Sequence, residues 1–197
     1  MEDRKKIYPK EAADVFARER LSARRYGHTL RVADTAEDLA RVHGIDPDRA
    51  RLAGLLHDAT RELSPDEFLR LARNWNLPVG EPEWESPKLL HGPVAAELAR
   101  RVLGVEDGQV LDAIREHTTG RPGMGPLSLV LYVADKVEPA RAYPSVGRLR
   151  RLAREDLRGA AAESLRRSIV HNEERGRPTH PASIETLAWL EKTEEGA

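Results

Sequence analysis

Apolar residues recur at helical spacing along nearly the whole chain, and prolines and glycines interrupt the pattern at intervals. Several segments begin with helix-start signals, namely Ser22, the pair Asp46-Pro47, and the capping box Ser64-Pro65-Asp66-Glu67. The pattern predicts helices over 9–21, 22 to about 44, 46 to about 58, 64–74, 92–103, 107–118, 126–136, 145 to about 172 and 182–192. We therefore predict an all-α fold, a single-domain helical bundle.

Some segments fit this pattern less well. Residues 1–8 are predicted to be a frayed N-terminus, and residues 76–91, which are rich in proline and glycine, are predicted to form a loop. The helix that begins at Ser145 is expected to break near Gly159. The stretch 127–137 is apolar enough for a buried strand, but no partner strand is evident, so a helix is favoured.

Length and composition bound the class of protein. With 197 residues, the chain is predicted to form one domain over 1–197, with its core at about 20–192. The lack of cysteine excludes disulfides, cysteine-based zinc sites, iron–sulfur clusters and thiol nucleophiles. The longest aliphatic or aromatic run, 129–134, is far shorter than the roughly 20 residues needed to cross a bilayer, so no membrane partner is expected.

The balance of charge bears on possible partners. The chain has 32 basic and 33 acidic residues and a net charge of −1, which argues against a nucleic-acid partner.

The opening residues Met-Glu-Asp-Arg-Lys-Lys are not followed by an apolar stretch and do not resemble a signal peptide. A cytoplasmic location is expected.

Histidines and a carboxylate interrupt the apolar faces of the predicted helices. A single histidine on such a face is more often a hydrogen-bonded core residue than a metal ligand. Asp135 is harder to explain in this way, because it lies in the most apolar helix and a buried carboxylate needs a cation. Lys136 should point about 100° away from it. Arg141 is a possible structural partner, and a metal ion is the alternative.

The joint pattern favours a metal site. Apart from one adjacent histidine–aspartate pair, the candidates fall on separate helices or helix ends, about one helix and one loop from one to the next, so a bundle could bring them together in its core. Imidazole and carboxylate together suit iron, manganese, zinc or cobalt. The candidate side chains are His28, His57, Asp58, His91, His117 and Asp135.

The ordered motifs resemble a known family. A histidine on one helix, His57-Asp58 at the end of the next and a distant Asp135 are similar to the HD-superfamily metal-dependent phosphohydrolases. Flanking segments resemble the YqeK-type branch, the bacterial symmetrical dinucleoside tetraphosphate hydrolases, over about residues 20–192. These segments are Arg25-Tyr26-Gly27-His28-Thr29, Leu89-Leu90-His91-Gly92-Pro93, Ile114-Arg115-Glu116-His117-Thr118-Thr119-Gly120 and Tyr132-Val133-Ala134-Asp135-Lys136-Val137-Glu138-Pro139-Ala140-Arg141.

The resemblance implies an HD-type bundle with two divalent metal ions, of which iron is the family's usual choice. One ion would be bound by His28, His57, Asp58 and Asp135, and the other by His91, His117 and a bridging Asp58. The activity implied is symmetrical cleavage of diadenosine tetraphosphate to two ADP, through attack by a metal-bridging hydroxide. Arg61 departs from the family, where we expect Lys; the positive charge is kept.

A polyphosphate substrate should also meet cations and hydroxyl groups. We assign catalytic roles to Asp58, Arg61, Lys136 and Arg141. Substrate binding is assigned to the three cations and to Thr118 and Gly120, whose hydroxyl and backbone N–H could reach phosphate oxygens. The structural alternatives are surface salt bridges for the cations and a helix C-cap for Gly120.

Other residues and other functions stay open at this point. Trp75 and Trp84 could stack on adenine, although packing is favoured, and His180 is expected in a loop or lid. The partner is expected to be a small nucleotide, and a homodimer is possible. The alternatives are hydrolysis of a nucleoside mono-, di- or triphosphate, a non-catalytic metal or nucleotide sensor, and a helical interaction domain with core histidines.

Overall fold

The computed structural model describes residues 10–192, which form helices and connecting loops with no strand among them. The α-helices are α1 (Lys10–Arg20), α2 (Ala23–Val42), α3 (Pro47–Leu56), α4 (Pro65–Asn74), α5 (Glu81–Glu85), α6 (His91–Leu103), α7 (Gly108–Glu116), α8 (Pro126–Val137), α9 (Val146–Glu155), α10 (Leu157–Glu174) and α11 (Pro181–Glu191), and a 3₁₀ helix spans Pro87–Leu90. The all-α prediction is confirmed. The frayed N-terminus predicted for 1–8 lies outside the described residues.

The predicted helix starts are present in the structure. Ser22 accepts a hydrogen bond from Arg25 N, Asp46 caps α3 with Pro47 in the first turn, and Ser64 and Glu67 form a reciprocal capping box on α4. Local sequence therefore fixes where these helices begin, before any tertiary packing is considered.

Residues 76–91 contain more helix than the loop prediction allowed. Pro82 and Pro87 lie in the first turns of α5 and the 3₁₀ helix, where a missing N–H costs no hydrogen bond. The side chain of Glu83 accepts from Gly80 N at 2.8 Å and stabilises the start of α5. These two prolines therefore begin helices instead of preventing them.

The break expected near Gly159 lies at Asp156, between α9 and α10. The Asp156 carboxylate accepts a hydrogen bond from Gly159 N at 2.8 Å and caps α10. A Cβ added at Gly159 would lie 2.2 Å from Asp156 Oδ2. A side chain at position 159 would therefore displace the capping carboxylate of Asp156, three residues before it.

The apolar helix α8 lies in the middle of the bundle and packs against α2, α3, α7 and α10. Its residues 127–135 are all buried, including Leu131 and Tyr132. A helix that is covered on every side is apolar on every side, which explains why a strand was an alternative for this stretch. No helix among residues 10–192 is long and apolar enough to span a membrane.

Candidate metal centre

Five helices bring the six predicted side chains together. His28 lies on α2, His57 and Asp58 follow α3, His91 begins α6, His117 follows α7, and Asp135 lies on α8. All six are buried, with exposed fractions between 1% and 8%. Such groups are rarely buried without partners, so their shared location indicates a site and not a set of separate core residues.

Asp58 lies between two pairs of histidines. Its Oδ2 is 3.9 Å from His28 Nε2 and 3.7 Å from His57 Nε2. Its Oδ1 is 3.5 Å from His91 Nε2 and 3.9 Å from His117 Nε2. Each pair forms with Asp58 a group of three whose ligand atoms all lie within 4.8 Å of one another. We call these groups the His28 triad (His28, His57, Asp58) and the His91 triad (Asp58, His91, His117).

Two glycines permit the close helix packing behind the triads. A Cβ at Gly54 on α3 would lie 2.5 Å from the Cα of Ala33 on α2. A Cβ at Gly92 on α6 would lie 2.9 Å from the carbonyl oxygen of Arg115 on α7. Larger residues at either position would push apart the helices that carry the histidines.

Backbone carbonyls fix the orientation of three of the four imidazoles. The Nδ1 atoms of His57, His91 and His117 donate to the carbonyl oxygens of Gly54, Lys88 and Ile114, each three residues earlier, at 2.7, 2.6 and 2.7 Å. A carbonyl only accepts, so Nδ1 carries the proton and the Nε2 lone pair faces the centre.

The inward nitrogen atoms are not all satisfied by protein groups within the described chain, since the one hydroxyl near His91 and His117, that of Thr118, can donate to only one of them. His57 Nε2 is buried without a hydrogen bond. His91 Nε2 lies 2.9 Å from His117 Nε2, which brings two lone pairs face to face. A cation would satisfy all three nitrogens, and neutral imidazole with carboxylate is a donor set that borderline divalent metals prefer. The residues therefore fit a metal site.

Burial keeps the histidines of the His91 triad neutral. It lowers the pKa of His91 to about 4, against the attraction of Asp58, and it lowers the pKa of His117 well below the ordinary range. Burial raises the pKa of Asp58, but the surrounding imidazoles, His57 first, outweigh this effect and lower it to about 2. At neutral pH the triad offers two lone pairs and a carboxylate.

His28 is oriented differently, by a carboxylate. Its Nδ1 donates to Glu138 Oε1 at 3.2 Å. Glu138 is buried and also accepts from Arg31 Nε and Ala140 N, both at 2.7 Å. We did not assign Glu138 a role from the sequence. The sequence feature that could have indicated a role for Glu138 is its position three residues after Asp135, which places both residues on one side of a helical turn.

Asp135 meets the centre through His28, whose Nε2 lies 3.1 Å from Asp135 Oδ1. Arg141 donates to the same oxygen at 2.8 Å, as the sequence suggested. The expectation that Lys136 points away was wrong, because its flexible side chain folds back to place Nζ 2.6 Å from Asp135 Oδ2. Burial raises the pKa of Asp135, but Lys136 and the other positive groups hold it well below its usual range.

Two arginines approach Asp58 from the side. Arg61 Nε lies 3.9 Å from Asp58 Oδ1, which is longer than a hydrogen bond. Arg25, which we did not assign from the sequence, donates to Asp58 Oδ2 at 3.1 Å. The sequence feature that could have indicated this role of Arg25 is its position three residues before His28, about one helical turn away.

The residues after His117 divide into one polar group at the centre and one structural glycine. Thr118 Oγ1 lies 3.1 Å from His91 Nε2 and 3.3 Å from His117 Nε2. Gly120 has a positive φ of 71°, and its N–H donates to Glu116 O at 2.8 Å. This N–H is therefore not free for phosphate. The C-cap of α7 is His117, and Gly120 closes the turn that follows it in a left-handed conformation, a structural role close to the cap that was the alternative.

The remaining candidates lie outside the two triads. Trp75 packs in a cluster with Phe68, while Trp84 is 55% exposed. His180 caps α11 by accepting from Ala182 N, and its Nε2 lies 2.9 Å from Glu83 Oε1. That contact joins the loop before α11 to the α5 segment.

Comparison with known proteins agrees with this geometry. Residues 25–140 match the HD domain family. The chain is 38% identical to a symmetrical bis(5'-nucleosyl)-tetraphosphatase of Bacillus subtilis, covering 92% of this chain and 97% of the relative. A relative of the same description from Halalkalibacterium halodurans is also 38% identical, with 86% and 90% covered.

A solved structure shares the fold. It is described as a predicted HD superfamily hydrolase involved in NAD metabolism from Clostridium acetobutylicum. The TM-score is 0.89 at 36% sequence identity, and the match covers 91% of this chain and 95% of that one. The likeness extends over nearly all of the helical architecture described above.

Proposed function

The chain belongs to the HD domain family and groups with its symmetrical bis(5'-nucleosyl)-tetraphosphatases, and on that premise we propose that it hydrolyses dinucleoside tetraphosphates to two nucleoside diphosphates. The substrate is a small nucleotide, for which diadenosine tetraphosphate is the representative. The enzyme cuts the central phosphoanhydride, so each product keeps one nucleoside and two phosphates.

One observation carries the proposal: the two oxygens of Asp58 face different pairs of histidines. A carboxylate in this position can be shared by two cations, each completed by the histidines on its own side. His28, His57 and Asp135 would be the further ligands of one ion, and His91 and His117 would be those of the other. When bound, a pair of divalent ions activates water and neutralises charge on phosphate oxygens.

The chain's own cations and hydroxyl group position the substrate. Arg25, Arg61, Lys136 and Arg141 surround the two aspartates. Phosphoryl transfer depends mainly on alignment and on charge compensation, which these groups provide. The Thr118 hydroxyl, at the His91 triad, donates to a phosphate oxygen. Arg61 binds by its forked guanidinium, so its role is phosphate binding and not proton donation.

Iron is the metal that we propose. The ligand set contains no thiolate, and imidazole with carboxylate suits iron as well as manganese, cobalt or zinc. Metal analysis of protein purified without oxygen and without a histidine tag identifies the resident ion. Chelation should abolish activity, and iron or manganese should restore it.

The central test is product analysis on diadenosine tetraphosphate with metal-loaded enzyme, with Asp58→Asn as the inactive control. We expect ADP as the single nucleotide product. ATP together with AMP would overturn symmetrical cleavage. Cleavage of a mononucleotide with the dinucleotide left intact would favour the other HD phosphohydrolase activities, and binding without turnover would favour a sensor.

A further inference from the structure

The last turn of α8 is completed by side chains from further along the chain. A helix leaves its final carbonyl groups without partners inside the helix. In α8 the three successive carbonyls of residues 135–137 accept hydrogen bonds from Arg141 Nε, the Tyr143 hydroxyl and Arg150 Nε, at 2.9, 2.8 and 2.8 Å. Side chains therefore complete the hydrogen bonding at the end of the helix that carries Asp135.

Arg150, on α9, makes the largest share of these contacts. In addition to its bond through Nε, its Nη2 donates to the carbonyl oxygens of Glu138 and Arg141, both at 2.9 Å, and of Pro139, at 3.2 Å. One half-buried guanidinium thus binds four carbonyl oxygens of residues 137–141, which we call the α8 end turn. Its positive charge lies at the C-terminal end of α8, where the helix dipole favours a cation.

The α8 end turn carries two groups of the metal centre. Glu138 accepts a hydrogen bond from His28 Nδ1 and orients that imidazole. Arg141 donates to Asp135 Oδ1 at 2.8 Å. Arg150 binds the carbonyl of each of these two residues of the turn, so it fixes the main chain from which both side chains reach the centre.

The local sequence ends the helix here but does not supply partners for the carbonyls of the turn. The backbone leaves the helix at Glu138, with φ −49° and ψ 151°, and the following Pro139 disfavours the helical conformation at this position. A turn that leaves a helix in this way needs hydrogen-bond donors from elsewhere. The side chain of Arg150 supplies them from nine to thirteen residues further along the chain.

We propose that Arg150 is a positioning residue of the metal centre, which raises the metal affinity of the His28 triad by fixing the α8 end turn. Through that turn it holds Glu138 against His28, the contact that orients the imidazole. The proposed role rests on the metal centre of the proposed function. The imidazoles of His91 and His117 are oriented by carbonyls outside the α8 end turn, so loss of Arg150 should weaken one metal site and spare the other.

Arg158, on α10, offers a matched control because it makes the same kind of contact at another helix end. Its Nε donates to Leu190 O at 3.1 Å and its Nη2 to Trp189 O at 2.6 Å, at the end of α11. The guanidinium also lies over the Trp189 ring, 4.4 Å from the centroid. The last turn of α11 carries none of the six side chains of the centre, so loss of Arg158 should remove a comparable cap without affecting metal binding.

The test is calorimetric titration of metal-free protein with Mn²⁺, in two backgrounds that each leave one triad intact. In His91→Ala, which keeps the His28 triad, adding Arg150→Gln should weaken Mn²⁺ binding about tenfold, because the partner that orients His28 is loosened. In His28→Ala, which keeps the His91 triad, adding Arg150→Gln should leave the Mn²⁺ affinity unchanged. Adding Arg158→Gln should leave it unchanged in both backgrounds.

Thermal unfolding of the same metal-free variants separates positioning from stability. Arg150→Gln and Arg158→Gln should each lower Tm by about 3–6 °C, since each removes a charged cap from a helix C-terminus. Arg150→Lys keeps the positive charge but lacks the fork that binds several carbonyls at once, so its Mn²⁺ affinity should lie between those of the wild-type residue and of Arg150→Gln. This milder variant carries the test if Arg150→Gln does not fold.

A lowered Tm with unchanged Mn²⁺ affinity in the His91→Ala background would overturn the proposed role and leave Arg150 as a helix cap only. An equal loss of affinity in both backgrounds would also overturn it, because the change would then act on the whole fold. Wild-type protein that binds no Mn²⁺ would overturn the metal centre of the proposed function together with this role. Metal binding as expected without cleavage of diadenosine tetraphosphate would overturn the proposed function alone.

Discussion

The two halves of the metal centre are held by different means. In the His91 triad, neutral backbone carbonyls orient His91 and His117. In the His28 triad, the carboxylate of Glu138 orients His28, and Arg31 in turn binds Glu138. A carboxylate partner makes an imidazole more basic and a stronger metal ligand than a carbonyl partner does. The comparison predicts two metal sites of unequal affinity, with the tighter site on the His28 side.

The largest effect is expected where the two halves join. Asp58→Asn removes the charge that both triads share while keeping the shape of the side chain. Activity should fall by about 10³-fold, because the electrostatic stabilisation of both sites is lost. Elemental analysis should show that metal is lost from both sites. Retention of two ions and full activity would contradict the shared role of Asp58.

His91→Ala should separate the halves. The His28 triad keeps all its members, so one ion should remain bound while turnover falls by about 10²-fold. Metal content per chain and activity are measured on the same sample. His43→Gln is the control, since His43 lies away from the centre and bonds to Ala153 O. Two retained ions in His91→Ala would show that the triads do not act as separate sites.

Glu138→Gln tests the cause of the asymmetry. The amide still accepts a hydrogen bond from His28 but carries no charge, so affinity at the tighter site should fall by about 10-fold to 100-fold. Titration of metal-free protein should then show two sites of similar affinity where the wild type shows two distinct ones. An equal loss at both sites would mean that Glu138 supports the fold and not His28.

The smallest effect concerns acid stability of the metal-free protein. The pKa of His91 is about 4 in the folded protein and about 6.5, its ordinary value, in the unfolded chain. Below pH 6.5 the unfolded chain therefore takes up a proton at His91 that the folded protein does not. Stability should therefore fall as the pH drops from 7 to 5, by about 2 kcal/mol from His91 alone. His117, whose pKa is lowered in the same direction, adds to the loss.

Urea unfolding at pH 7 and pH 5 measures this loss, and His91→Gln should reduce it. The lowered pKa of Asp58 affects stability mainly below its ordinary value near 3.8, so Asp58 contributes little to the change between pH 7 and pH 5. Unfolding free energies that rise toward pH 5 would contradict the neutral state assigned to the His91 triad.

The sequence predicted the fold class and the six inward side chains, because both depend on local patterns. Caps such as Asp46 are recognised from neighbouring residues, and histidines on apolar faces are visible from helical spacing. The convergence of the six groups followed from their distribution over separate helices together with the family resemblance. The fold class and the inward position of these side chains can therefore be predicted from the spacing of residues along the chain.

The contacts that the sequence did not supply depend on packing between distant helices. Glu138 meets His28 only because α8 packs against α2, 110 residues apart along the chain. The fold-back of Lys136 onto Asp135 depends on a flexible side chain whose direction helical geometry does not fix. The roles of Gly120 and of the prolines that begin α5 and the 3₁₀ helix were ambiguous, because the same residue types serve in loops and at helix ends.

The glycine at position 92 has a consequence for how this centre can change. The hydrogen atom that stands where a Cβ would be sets how near α6 comes to α7, and therefore how near His91 comes to His117. The distance between these two ligands therefore depends on the backbone packing at Gly92. Replacing one ligand by another can change which metal ion is preferred. It cannot restore the distance between His91 and His117 once a methyl group at position 92 has pushed α6 away from α7.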